Sequence, residues 1–168
     1  MSSKRSARLV AIDSQILVWG IRKEGNEEQK KRTGWLFQEL DESKAQVIVP
    51  AVALSEYLTK VQPNEQRDVI ATLAARFIIA PFDVECAALA AQLFSQGRGI
   101  VKGKTRGGRS TLRADALIIA TAAVHGAEAF YSGDAICRKM ASLVPRLEVL
   151  DVPKQPPDLF SYGSQSND

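Results

Sequence analysis

Short apolar runs alternate along the chain with longer segments in which apolar residues recur at helical spacing. The short runs have the length and composition of buried strands, and the longer segments have the pattern of amphipathic helices. The predicted strands are residues 7–12, 45–50, 77–82, 129–132 and 146–152. The predicted helices are residues 15–23, 27–40, 51–61, 64–77, 84–96, 114–126 and 134–144. Because strands that alternate with helices form a parallel sheet covered on both faces, the pattern predicts an α/β fold, a three-layer α/β/α sandwich with a central, mainly parallel sheet.

The two ends of the chain depart from this alternation. Residues 1–7 form a basic N-terminal tail, and residues 153–168 are rich in proline and then polar. Such segments bury little apolar surface, and a chain of 168 residues ordinarily forms one domain. The sequence therefore predicts a single domain over residues 8–152 between two tails.

Composition and cysteine usage predict a cytoplasmic protein without membrane contact. The chain has 45% hydrophobic and 24% charged residues, as soluble globular proteins do. No apolar run approaches the roughly 20 residues of a membrane-spanning helix, and Asp13 interrupts the first apolar stretch too early for a secretory signal. Cys86 and Cys137 lie in predicted helices without the spacing of a metal or redox motif, so we expect core thiols in a reducing compartment.

The net charge of +3 is small, but the positive charges are unevenly distributed. Residues 96–114 contain five glycines, no acid and six basic residues, namely Arg98, Lys102, Lys104, Arg106, Arg109 and Arg113. The glycines predict a flexible loop over residues 97–109. Such a loop is either a solvated segment or a surface that contacts the phosphate backbone of a nucleic acid. The loop leads directly into an acidic residue, Asp115, which makes its place in the fold important.

Four acidic residues occupy related places in the predicted fold. Asp13 follows the first strand, and Glu56 lies in the helix after the second strand. Asp115 begins the predicted helix 114–126, and Asp134 follows the strand 129–132 after one glycine. In a parallel sheet, the carboxyl ends of the strands and the starts of the following helices meet at one edge, where such folds bind ligands. We therefore expect the four carboxylates to converge.

The aspartates also have a purely structural interpretation, as N-caps or first-turn acids that each stabilise a helix by roughly 0.5–2 kcal/mol. Glu56 does not fit this interpretation, because it lies well inside its helix. Asp115 is followed one turn later by Ile118 and Ile119, and Arg113 points elsewhere on a helix. A half-buried carboxylate needs a cation, either an arginine or a metal. Two such acids beside two others favour a shared divalent cation.

The predicted chemistry is metal-dependent hydrolysis of a phosphodiester. Hard oxygen ligands hold Mg²⁺ or Mn²⁺, which polarises a phosphate and activates water. Asp13 and Asp115 are the predicted main ligands, Glu56 orients water or a second ion, and Asp134 completes the site. The hydroxyls of Ser14 and Ser132 bind ligands or phosphate, or cap helices. The basic segment grips the substrate backbone, and the predicted contacts are Lys102, Lys104, Arg106, Arg109 and Arg113.

Other chemistries agree less well with the residues. His125 is the only histidine, and its place beside Gly126 is typical of a helix C-terminus, which argues against a Ser-His site. The chain has no GxxxxGK[ST] motif and no strand-linked GxGxxG motif, which argues against a nucleotide cradle. A phosphoaspartate phosphatase would need a second acid at position 15, where this chain has Gln15.

The order of these residues resembles that of the PIN-domain nucleases, in particular the VapC-type toxins of toxin–antitoxin pairs. The resemblance rests on "VAIDSQILVW", "VPAVALSEYL", "ADALIIATAAVHGA" and "YSGD", and it spans residues 8 to about 150. The third of these stretches is the most specific, and "YSGD" is the weakest. Members of the family commonly have a TxD or TND stretch followed by an aromatic residue near the last acid. Here Ser132, Gly133 and Asp134 are followed by Ala135 and Ile136, which leaves Ser132 as the hydroxyl of this stretch.

The resemblance implies a PIN-like fold and a magnesium- or manganese-dependent endoribonuclease that acts on RNA. The acids of the family correspond here to Asp13, Glu56, Asp115 and Asp134. The resemblance also implies a homodimer and a small antitoxin protein that restrains the nuclease. A housekeeping RNA-processing nuclease and a non-catalytic PIN-like RNA-binding or scaffold protein are the alternatives, and the four intact carboxylates favour an enzyme.

Overall fold

The structure, a computed structural model, describes residues 7–100 and 106–157, with the backbone alone for residues 106–109. Five strands are present in these residues: β1 (Leu9–Ile12), β2 (Gln46–Pro50), β3 (Ile78–Ala80), β4 (Ala129–Tyr131) and β5 (Glu148–Leu150). Seven helices accompany them: α1 (Ser14–Gly20), α2 (Glu27–Glu42), α3 (Ala51–Leu58), α4 (Gln66–Arg76), α5 (Val84–Gly97), α6 (Arg106–Val124) and α7 (Ala135–Ala141). Each predicted strand and helix is found, with shifted ends. No helix in the described ranges is long and apolar enough to cross a membrane.

The five strands form one sheet in the order β3-β2-β1-β4-β5, and every neighbouring pair is parallel. In the middle of the sheet, Val10 of β1 lies opposite Val47 of β2 on one side and Ala129 of β4 on the other. The chain order therefore reverses between β1 and β4. At such a reversal the connections leave in opposite directions and open a crevice at the carboxyl ends of the strands, which is where these folds bind ligands.

Helices cover both faces of the sheet, which confirms the predicted three-layer α/β/α sandwich. Val10 and Ile12 of β1 belong to a core shared with Leu17 of α1 and Leu36 of α2. Ala11, whose side chain points the other way, belongs to a second core with residues of α5, α6 and α7. All three of these β1 residues are fully buried. A central parallel strand buried on both faces explains why the sequence pattern of β1 is a continuous apolar run.

Helix α6 differs most from its prediction. It begins at Arg106, so residues 106–109, which were predicted as loop, are helical. Asp115 therefore lies inside α6 and does not begin it. The prediction was wrong because glycines disfavour helix by only about 1 kcal/mol each, and packing against a neighbouring helix can outweigh that cost. Leu112 is buried in the core that α5 shares with α6, which provides such packing.

Some predictions fall on residues that the structure does not describe. Lys102 and Lys104 lie outside the described ranges, as do most residues of the two predicted tails. The division into a domain over residues 8–152 and two tails remains a prediction.

Candidate metal centre

A cavity of about 270 Å³ lies among the residues that follow β1 and β4. All four acids singled out in the sequence line it: Asp13, Glu56, Asp115 and Asp134. The other lining residues are Ser14, Gln15, Ser110, Thr111, Ala114, Ile118 and Cys137. The cavity therefore lies where the reversal of strand order predicts a ligand site.

Asp13 follows β1 directly and caps α1. Its Oδ1 accepts a hydrogen bond from the Ile16 amide at 3.0 Å, and its side chain is almost completely buried. Burial raises the pKa of Asp13 to about 6, although hydrogen bonds from Ser132 and Ile16 act in the opposite direction. The charges of Asp134 and Glu56 contribute to this rise. The fold thus holds this carboxyl in a position where two hydrogen bonds offset only part of the cost of burying its charge.

Asp115 projects into the cavity from the interior of α6. Its Oδ2 is buried and has no hydrogen-bond partner among the residues that the structure describes. Burial, followed by the charges of Asp134, Asp13 and Glu56, raises the pKa of Asp115 to about 7. Orphaned oxygens of this kind are rare in folded proteins because each costs about 1–3 kcal/mol, and more when charged. Binding of a cation to this oxygen would remove that cost.

Arg113 does not supply that partner. Its guanidinium carbon lies 5.0 Å from the centre of the Phe94 ring on α5, and Arg113 is not among the residues that line the cavity. Arg138 of α7 is also engaged elsewhere, because it donates to the Ser132 carbonyl at 2.7 Å and pairs with Asp151 at 3.3 Å. Among the described residues, none of the four cavity carboxylates takes part in an ion pair.

Two serines hold the remaining acids in place. Ser14 donates a short hydrogen bond from its hydroxyl to Glu56 Oε2, which joins α1 to α3 across the cavity. Asp134 caps α7, since its Oδ1 accepts from the Ile136 amide at 2.7 Å, and the Ser132 hydroxyl accepts from the Asp134 amide at 3.0 Å. Both serines that the sequence singled out therefore hydrogen-bond to acids of the site.

This donor set fits Mg²⁺ or Mn²⁺. It consists of carboxylate and hydroxyl oxygens, which these hard cations prefer, and it includes the unpartnered Asp115 Oδ2. Within the described ranges, no three of the four carboxylates bring their oxygens within 4.8 Å of one another.

The structure also adds residues that the sequence did not single out. Ser110 and Thr111 line the cavity about one turn before Asp115, on the part of α6 that precedes the predicted helix start at residue 114. Their helical spacing from Asp115 would have revealed them if the start of α6 had been placed at Arg106. Cys137, predicted as a core thiol, is buried and lines the same cavity. Burial raises the pKa of the Cys137 thiol far above its usual range.

The predicted basic contacts are placed only in part. Arg106 and Arg109 belong to α6, but their side chains are outside the description. Lys102 and Lys104 lie in the undescribed segment between α5 and α6. Their predicted contact with substrate stays a prediction.

Solved structures with a similar fold include three bacterial proteins. VapBC2 from Rickettsia felis, bound to a DNA fragment from its promoter, is 15% identical, with 85% of this chain and 98% of that chain covered and a TM-score of 0.55. FitAcB from Neisseria gonorrhoeae is 20% identical, with 83% and 95% covered and a TM-score of 0.54. A toxin-antitoxin complex from Klebsiella pneumoniae is 19% identical, with 90% and 100% covered and a TM-score of 0.54. At these identities the likeness shows the fold.

Sequence comparison gives the family. No curated protein matches the chain. The family model of the PIN domain, however, matches residues 10–143, which run from the second residue of β1 to beyond the end of α7 and include all four cavity carboxylates. The chain therefore belongs to the PIN domain family, whose members are nucleases.

Proposed function

We propose that this PIN domain protein is a divalent-metal-dependent endoribonuclease that hydrolyses RNA phosphodiester bonds with Mg²⁺ or Mn²⁺. One observation carries the proposal: four carboxylates line a single cavity, and among the described residues they form no ion pair and the buried Asp115 Oδ2 has no hydrogen-bond partner. A binding module has no need of such a cluster, because its carboxylates would repel the phosphates of a nucleic acid. The cluster therefore favours the nuclease over a non-catalytic scaffold.

In this proposal Asp13 and Asp115 hold the cation, and Glu56 and Asp134 complete its surroundings. The cation supplies charge neutralisation at the phosphate and a water that loses its proton more readily. The chain's own groups set the geometry: the N-cap bonds of Asp13 and Asp134 fix two carboxylates, and the Ser14 hydroxyl orients Glu56. Rigid positioning of this kind is a large part of what an enzyme contributes to hydrolysis.

The substrate backbone would lie along the first half of α6. Ser110 and Thr111 already line the cavity beside Asp115 and offer hydroxyls to a phosphate. We also assign contacts with the RNA backbone to the basic side chains that precede Ser110 in the sequence, namely Lys102, Lys104, Arg106 and Arg109. Arg113 is an exposed residue of the same helix that stacks on Phe94, and we assign it to these contacts as well.

We further propose that the chain is a toxin restrained by a small antitoxin protein and that it forms a homodimer. The likeness in fold to proteins described as a toxin-antitoxin complex and as VapBC2 on its promoter DNA supports this context. An acidic cavity suits a basic segment of an inhibitor, because such a segment neutralises the same carboxylates as a cation does.

An RNA-cleavage assay tests the enzymatic proposal. The purified protein should cleave a single-stranded RNA with Mn²⁺ or Mg²⁺ and should stop when EDTA is added. Asp115→Asn should lose about 100-fold or more of the activity, since groups that only orient a metal ligand already cost about 10–100-fold. Asp68→Asn, an exposed aspartate of α4, is the matched control and should cleave normally. Cleavage that persists in EDTA or in Asp115→Asn would contradict the proposal.

A further inference from the structure

A second group of possible metal ligands lies where the start of α5 meets the end of α6. Asp83 is the N-cap of α5, Cys86 lies in the first turn of that helix, and His125 directly follows α6. One ligand atom from each of the three residues lies within 4.8 Å of the other two. None of the three lines the cavity that contains Asp13 and Asp115, so this group is separate from the carboxylate site.

We propose that Asp83, Cys86 and His125 form a transition-metal site and that Zn²⁺ is the ion that fits it best. Thiolate, imidazole and carboxylate are the ligands by which proteins bind zinc. Mg²⁺ prefers oxygen ligands alone, so the two sites of this molecule differ in chemical class. This second site is independent of the proposed nuclease function, so each proposal can be correct when the other is wrong.

Two of the three ligand atoms are already spaced as zinc requires. His125 Nε2 and Asp83 Oδ2 are 3.7 Å apart, whereas two ligands at about 2.1 Å from a tetrahedral ion lie roughly 3.4 Å apart. The carboxylate is held in this place by its other oxygen, because Asp83 Oδ1 accepts from the Cys86 amide at 2.9 Å. The N-cap bond of α5 thus presets one ligand toward the imidazole.

The Pro81 carbonyl oxygen lies within hydrogen-bonding distance of the other two ligands. It accepts from His125 Nε2 at 2.8 Å and from the Cys86 thiol at 3.9 Å. Zinc binding would replace both hydrogen bonds: the thiol loses its proton to solvent, and the neutral imidazole carries its single proton on Nδ1 instead of Nε2, so that Nε2 can bind the ion. Three protein ligands leave a fourth position of the tetrahedron, which the Pro81 oxygen or a water can fill.

One ligand of this group is buried and the other two are partly exposed, which allows an ion to enter from solvent. Cys86 is fully buried, and burial raises the pKa of its thiol, which leaves it unreactive until a metal displaces the proton. The side chains of Asp83 and His125 are 46% and 27% exposed and give an ion access from solvent. A bound ion would tie the start of α5 to the end of α6, the helix that carries Asp115.

Cobalt and zinc titrations of the full chain test this site. Thiolate bound to Co²⁺ gives an intense charge-transfer absorption in the near ultraviolet, which an all-oxygen site does not give. The titration uses the Asp13→Asn, Asp115→Asn double variant, so that the carboxylate cavity does not compete for the ion. The expected result is an absorption band that saturates at one cobalt ion per chain and disappears when zinc is added.

Three variants decide whether the band comes from the proposed ligands. Cys86→Ser should abolish it, and His125→Gln should weaken zinc binding by about 100-fold or more, since loss of a ligand exceeds the 10–100-fold cost of losing a group that orients one. Cys137→Ser is the matched control, because it removes the other buried thiol and should keep the band. Zinc should raise the melting temperature of Cys137→Ser and leave that of His125→Gln unchanged.

The outcomes that overturn the proposal are equally definite. A band that survives in folded His125→Gln or Cys86→Ser at unchanged affinity would place the metal elsewhere. The absence of any band in the folded double variant would leave Asp83, Cys86 and His125 as a hydrogen-bonded cluster around the Pro81 carbonyl. The melting curves show which variants are folded, and His125→Gln, whose imidazole is partly exposed, serves if Cys86→Ser fails to fold.

Discussion

At the scale of single residues, Asp13 and Asp134 combine two roles in one side chain. Each caps a helix through its Oδ1, and each also lines the carboxylate cavity. From the sequence these roles were weighed as alternatives, but an N-cap leaves part of a carboxylate available to a ligand. Asp115 differs from both, because it lies inside α6 and its Oδ2 accepts no hydrogen bond from the part of the chain that the structure describes. The cation should therefore matter most to Asp115.

The raised pKa values predict how stability depends on pH. The pKa of Asp13 rises from 3.8 to about 6 and that of Asp115 from 3.8 to about 7, so the folded state keeps protons that the unfolded chain has lost. Their contribution to the free energy of unfolding is full below pH 3.8 and is lost as pH rises through about 6 and about 7. Urea unfolding in EDTA should show wild-type stability falling over this window relative to Asp115→Asn.

Manganese provides the complementary measurement. Manganese stabilises the ionised carboxylates. It should therefore raise the melting temperature at pH values above about 7 and raise it much less at pH values below 3.8. Asp115→Asn should lose this gain, and Asp68→Asn should keep it. An equal gain in Asp115→Asn would remove Asp115 from the metal site.

Gly133 should tolerate no side chain, because a Cβ at this position would lie 2.4 Å from Trp19 Cη2. Gly133→Ala should destabilise the protein by about 1–3 kcal/mol, as overpacking does, and should weaken manganese binding by displacing the adjacent Asp134. Gly34→Ala in α2 is the matched control, since a Cβ there meets no atom within 4 Å. It should be neutral or stabilising by up to about 1 kcal/mol. Urea unfolding of both variants makes the comparison, and a destabilised Gly34→Ala with a stable Gly133→Ala would contradict it.

At the scale of elements, α6 contains residues 106–109, which were predicted as loop, together with most of the helix that was predicted over residues 114–126. A single helix carries Arg106 at its start, Thr111 and Asp115 along the cavity, and Leu112 in the core. Residues 111 and 115 are one turn apart on one face, which is why both reach the cavity. A phosphate contact made near the start of this helix would therefore be rigidly connected to the metal ligand.

Strand positions were predictable because their cause is local in the sequence. Val10, Ala11 and Ile12 are buried on both faces of the sheet, and such burial requires an unbroken apolar run. The start of α6 was not predictable in this way. Gly107 and Gly108 weaken the helix, and tertiary packing, such as that of Leu112 in the core shared with α5, offsets this loss but is not visible in the sequence. The convergence of the four carboxylates was predicted from their places after the strands of a parallel sheet, whereas Ser110 and Thr111 depended on the helix start and were missed.

The basic residues before Asp115 should govern the salt dependence of RNA binding. Each lost phosphate contact lowers the slope of log affinity against log salt by about 0.7 for a single strand. The test variant changes four residues together to Ser: Lys102, Lys104, Arg106 and Arg109. RNA affinity across a salt series should show the shallower slope, and manganese binding should be retained. Arg67→Ser is the control, because Arg67 is an exposed residue of α4 that does not line the cavity, and it should leave the slope unchanged. An unaltered slope in the fourfold variant would show that this segment does not contact RNA.

At the scale of the whole molecule, the strand order explains how residues far apart in the sequence form one site. Asp13 follows the central strand β1, and Asp134 follows its neighbour β4, although more than a hundred residues separate them. Glu56 and Asp115 reach the same cavity from α3 and α6. A site assembled from four separate elements forms only when the sheet is complete, so its metal affinity also reports on folding.

Expression of the chain should slow growth if it is a toxin, and the effect should depend on the cavity. Asp13→Asn should relieve the growth defect, since it removes a proposed metal ligand, whereas Asp68→Asn should remain toxic. Growth curves at matched protein levels provide the measurement. Equal toxicity of wild type and Asp13→Asn would show that the harm does not come from catalysis.

The two outer strands of the sheet, β3 and β5, have three residues each, and Glu148 of β5 forms an ion pair with Arg8. Short, charged edge strands expose few unpaired backbone N–H and C=O groups. A strand of another chain therefore has little to pair with at either edge of the sheet. Any stable association, whether with a second copy or with an inhibitor, should therefore form through side chains on helical surfaces. Polymerisation by strand exchange, the common hazard of open sheets, is disfavoured by the same architecture.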